Sequence, residues 1–174
     1  MLPNIQNRFE SLSEKRQALL QHLDSRSLEA LAFKAGPDKW SVVEAIEHLV
    51  VVEDNFLEQV SANIPTSTLD PGKRSSEKYQ IVLKVMQRDV EVDVPHESME
   101  PHGHIGFNEL LDKWENIREK MQGLLEKIDS DDPDAMVYHH PYAGPLNIAE
   151  TLEFMEVHFD NHVRHIDVIL ARAQ

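Results

Sequence analysis

The sequence predicts an all-α protein, a four-helix bundle running up-down-down-up with a long crossover between the second and third helices. Four stretches keep apolar residues at helical spacing, and their connections differ greatly in length. At 174 residues the chain is long enough to bury one core without disulfides or structural metals, and residues 1–174 read as a single domain.

The first helix carries Ile5, Phe9, Leu12, Leu19, Leu20 and Leu23 and ends near "DSRS". The second opens at "WSVVEAIEHL", where Ser41 and Glu44 have the spacing of a capping box, and runs to about Val60. More than forty residues follow before the third helix. They hold the polar "NIPTSTLDPGKRSSEKY", a candidate short helix in "YQIVLKVMQRD", and the histidine-containing "VDVPHESMEPHGHIG". A connection of that length can cross the bundle and set the second and third helices parallel.

The third helix has the most continuous stripe: Phe107, Leu110, Leu111, Trp114, Ile117, Met121, Leu124, Leu125 and Ile128. The fourth spans about Leu146 to Ala173 and turns Ile148, Leu152, Met155, Phe159, Val163, Ile166 and Ile169 inward. There is no internal repeat and no low-complexity tract.

Composition narrows the function. Asp and Glu total 31 against 17 Lys and Arg, a formal charge of -14, so the averaged field repels phosphate backbones and anionic lipid headgroups. Neither nucleic acid nor a membrane is an expected partner. Apolar runs such as "LVVV", Leu49 to Val52, are too short to span a bilayer, and the start lacks a signal-peptide pattern. The expected location is the cytoplasm. No cysteine is present, which excludes a thiol nucleophile and thiolate ligands and leaves histidine and carboxylate for metal binding.

The last helix contains "VHFDNHVRH". His158 and His162 stand one turn apart on one face and can reach one ion, and His165 extends the row. In projection Glu150, Glu153, Glu156, Asp160, Arg164 and Asp167 occupy the far side, while the histidines border the apolar stripe. By itself such a pair is a weak signal in a chain with ten histidines. His48 adds a third imidazole from the apolar shoulder of the second helix. Together the three could form a facial site with a position open to water or substrate; packing histidines would look the same in sequence.

Two stretches resemble a known family. "KWSVVEAIEHLVVVEDNF" is similar to the second-helix signature of the DinB/YfiT-like helical-bundle proteins, and "HHPYAGPLNIAETLEFMEVHFDNHVRHID" to their closing signature. The resemblance implies that His48, His158 and His162 bind a divalent ion. It also implies metal-dependent chemistry on a small molecule, as in the family's thiol transferases, thiol-dependent isomerase and hydrolases.

Three neutral imidazoles suit zinc, nickel, iron or copper better than magnesium or calcium, and zinc or nickel is the expected ion. The absence of Glu-x-x-His disfavours a di-iron carboxylate site. The expected enzyme is a thiol transferase or hydrolase, with a low-molecular-weight thiol as cosubstrate. Glu53, placed within the apolar face, is the candidate catalytic proton acceptor; pairing with a basic residue on another helix is an equal reading. Glu44 could orient His48, or simply cap its helix, and His165 could assist the ligands or carry a proton. His139, His140 and Tyr142 could border the ligand opening, although a turn built by Pro141, Gly144 and Pro145 explains that stretch without any function. The competing expectation is a non-catalytic bundle whose histidines pack or hold a structural ion for protein interaction, and a homodimer fits either reading.

Overall fold

The computed structural model describes residues 2–64, 69–70, 75–88, 96–128 and 134–173. It is mostly helical. Among the described residues, α1 spans Pro3–Asp24, α2 Leu28–Ala32, α3 Val42–Asn63, α4 Ser76–Met86, α5 Phe107–Leu125 and α6 Ile148–Arg172. A 3-10 turn covers Glu97–Met99, and strands β1 (Met136–His140) and β2 (Gly144–Asn147) form a hairpin.

Local chemistry fixes the long helices. Pro3 opens α1, where its missing N–H would have had no partner. The α3 start is a complete capping box: Glu44 N donates to Ser41 Oγ at 3.2 Å and Ser41 N to the Glu44 carboxylate at 2.8 Å. Asn147 and Glu150 repeat the device at α6. The expected fourth helix therefore begins two residues late, because Leu146 and Asn147 belong to β2. Similarly, α5 ends at Leu125, short of Ile128.

Helix α3 packs against both α5 and α6, and it is buried around most of its circumference from Val42 to Val60. Helix α1 lies on α6, tied by Arg8 to Glu156 at 2.9 Å and Lys15 to Asp160 at 2.5 Å. The short helix expected in the crossover is α4, which also rests on α6. Its last carbonyl, Met86 O, accepts from Asn161 Nδ2 at 2.9 Å and Arg164 Nη2 at 2.6 Å. Parts of the expected crossover and "DSDDP" lie outside the described residues.

The hairpin was not anticipated. Tyr138 pairs with Leu146 and His140 with Gly144, whose φ of 82° lets the turn close. It is fastened to α3: His139 N donates to Gln59 Oε1 at 2.9 Å and Asn63 Nδ2 to Val137 O at 3.1 Å. This places the hairpin beside the first turns of α6.

Candidate metal centre

The packing of α3 on α6 brings one histidine from the first against two from the second. His48 and His158 are only 3 % and 5 % exposed. His48 Nε2 lies 3.2 Å from His158 Nε2, and His162 Nε2 lies 3.2 Å from the same atom. All three ligand atoms fall within 4.8 Å of one another.

For an ion 2.0–2.1 Å from each nitrogen, the 3.2 Å contacts subtend roughly 100°, between octahedral and tetrahedral angles.

Hydrogen bonding explains why the nitrogens suit a cation. His48 Nδ1 donates to the carbonyl of Met99 at 2.7 Å, so the proton of the neutral ring sits there and Nε2 presents its lone pair. His158 Nε2 then faces two nitrogens with at most one proton. If His162 supplies a proton, the His48 and His158 lone pairs oppose each other. If His158 supplies it, two lone pairs share one hydrogen. His162 Nδ1 is moreover buried without a partner among the described residues. A cation at the centre satisfies all three Nε2 atoms, and the donor set fits a borderline divalent metal.

Electrostatics keeps these rings neutral. Burial lowers the His48 pKa, opposed by the bond to Met99. His158 and His162 are held well below the usual histidine range, first by burial and then by neighbouring imidazoles. Neutral rings are the form that binds metal.

Aromatic groups enclose the cluster. Trp40 sits 5.0 Å from the His48 ring and stacks on His162 at 6.1 Å and 15°. Phe154 lies 5.5 Å from His158, and His165 stands edge-on to His162 at 5.9 Å.

The other expected residues lie elsewhere. Glu53 does not present a free carboxylate: Arg118 Nε and Nη2 donate to its two oxygens at 2.5 and 2.6 Å, in the core between α3 and α5. Its reading as the partner of a basic residue is the geometry observed, because a buried carboxylate needs such compensation. Glu44 caps α3 and pairs with Lys34 at 2.8 Å, while the atom that orients His48 is the Met99 carbonyl. His139 and Tyr142 are exposed on the hairpin, whereas His140 is buried.

His140 was undervalued in the sequence. Its Nδ1 accepts from Tyr142 N and Ala143 N, both at 3.1 Å, so its proton sits on Nε2. That tautomer makes it a donor beside the cluster and not a fourth ligand. Met99 gave no signal at all, since its contribution is a backbone carbonyl.

A family model described as the DinB superfamily matches residues 11–166, nearly the whole chain. The chain belongs to the DinB superfamily. Among curated proteins, none matches this sequence. The matched span of this DinB-superfamily member contains all three converging histidines. Membership and cluster together are compatible with a metal-dependent function.

Proposed function

We propose that the protein is a metal-dependent enzyme in which His48, His158 and His162 hold a divalent ion, zinc or nickel, and a low-molecular-weight thiol is transferred to an electrophilic small molecule. Hydrolysis is the alternative reaction at the same site. The observation that carries the reading is the convergence of three Nε2 atoms, two contacts of 3.2 Å around one buried nitrogen. We assign the site to a four-helix bundle of α1, α3, α5 and α6 in up-down-down-up order, a reading supported by the packing of α1 on α6 and of α3 on both α5 and α6.

A divalent ion there supplies Lewis acidity that brings a thiol or water to its nucleophilic form near neutral pH. The chain's own groups prepare that site. Met99 O fixes the His48 ring, Trp40 covers two of the rings, and Phe154 shields the third. His165, partly exposed beside His162, is the group we assign to carry a proton towards solvent. Three protein ligands leave a position for substrate, which favours catalysis over a structural site closed by four.

Metal analysis of tag-free protein tests the assignment, beside a variant carrying both His158→Ala and His162→Ala. The expected result is about one zinc or nickel per chain, absent from the variant. Cobalt- or nickel-loaded protein is then titrated with thiols, and a changed spectrum is expected. No metal after reconstitution would sink the site. Metal without any response to thiols or electrophiles would turn the reading to a non-catalytic ion.

A further inference from the structure

Glu47 precedes His48 on α3 and is only 2 % exposed, although it is a carboxylate. A buried carboxylate requires donors. Its donors come from the crossover: His102 N to Oε1 at 3.1 Å and Gly103 N to Oε2 at 2.9 Å. Gly103 adopts φ +67°, the left-handed region in which glycine escapes the penalty of a Cβ.

A few residues earlier, the same segment delivers the Met99 carbonyl to His48 Nδ1 at 2.7 Å. A 3-10 turn stiffens that stretch through Met99 N to His96 O and Glu100 N to Glu97 O, and the Met99 side chain packs on the core. One short strap is thus clipped to two consecutive residues of one helix. Glu47 grips it at His102 and Gly103, and His48 reads it at Met99.

We propose that Glu47 is a positioning residue for His48, acting through the strap: by holding His102 and Gly103 it presents Met99 O, which confines the His48 proton to Nδ1 and aims Nε2 at the other histidines. The proposal rests on the metal reading of the cluster. It adds a carboxylate that touches neither ion nor substrate, yet decides whether the third ligand is prepared before binding. A free imidazole exchanges between two tautomers, and only the one with a bare Nε2 can ligate here. Among the described residues Glu53 is paired with Arg118 of α5 and accepts no hydrogen bond from the strap.

The test uses full-length protein with Glu47→Gln, Gly103→Ala as a second way to loosen the clip, through strain at its positive φ, and Glu53→Gln as a control. In metal-free protein, nitrogen-15 NMR of the histidine rings reads the His48 tautomer. The parent chain is expected to show Nδ1–H alone, whereas Glu47→Gln and Gly103→Ala show a mixture. Cobalt dissociation constants are expected to weaken about 10- to 100-fold in both, the range for lost support behind a ligand. Glu53→Gln lowers stability without changing tautomer or affinity, a split that a merely structural Glu47 would not produce.

An unaltered tautomer in both strap variants overturns the proposal, as does a mixed tautomer with unchanged cobalt affinity. A parent chain that binds no cobalt overturns the metal reading instead, and the tautomer result still decides whether Glu47 controls His48.

Discussion

His140 and Glu53 were both titratable groups of uncertain purpose in the sequence, and their immediate neighbours give them opposite characters. Burial, then the charge of His139, pushes the His140 pKa down to about 4. The unfolded ring titrates near its ordinary value, so as pH falls the unfolded chain takes up the proton first. Stability is therefore full above about pH 6.5 and is lost as pH falls from there through about 4, by at most ~3 kcal/mol from this residue. Urea unfolding at stepped pH should show this acid loss, with a shallower slope in His140→Gln; an unchanged slope would refute it. Glu53 is paired, with both of its oxygens accepting from Arg118. Glu53→Ala strands the Arg118 guanidinium in the core and should cost about 3–5 kcal/mol. Metal content of the folded fraction should be unchanged, and a loss of metal would restore Glu53 to the site.

At the level of elements, the capping box of α3 stands directly before the helix turn that carries Glu47 and His48. Ser41→Ala removes the acceptor of Glu44 N and should destabilise by about 1 kcal/mol, measured by denaturant midpoint. The long helices and this cap were legible because they rest on local periodicity and on a reciprocal pair three residues apart. His158 and His162 were legible for the same reason. His48 could be singled out as a buried-face imidazole, but its meeting with α6 is a tertiary fact. Less accessible were the strap and the hairpin. A carbonyl such as that of Met99 carries no residue-type signal, and "HHPYAGPLN" reads as a turn until Gln59 and Asn63 of α3 are seen gripping its backbone. Glu53 kept two readings in the sequence for a related reason: an apolar-face carboxylate looks the same whether its partner is a proton or the Arg118 of another helix.

Across the whole molecule, a net charge of -14 raises the concentration of cations near the surface. An ion that binds only the folded chain must raise its stability by mass action, about 2.7 kcal/mol at a free concentration one hundred times the dissociation constant. Thermal unfolding should therefore shift upward with added zinc or nickel in the parent chain, and stay fixed in the His158→Ala, His162→Ala variant. An equal shift in both would assign the effect to the acidic surface.

His158 and His162 of α6 lie one turn apart, but His48 and His158 are separated by 110 positions along the chain. An ion joining them would be a coordination cross-link across a very long loop in a protein that has no cysteine to make a disulfide. The folded chain already holds the two ends together, so ion binding is spared the roughly 4–5 kcal/mol that closing a loop of that size costs an unfolded chain in the simple polymer treatment. Such a cross-link would answer to chelators and acid and be indifferent to reductants, so that the chain's resistance to unfolding would follow the supply of metal around it.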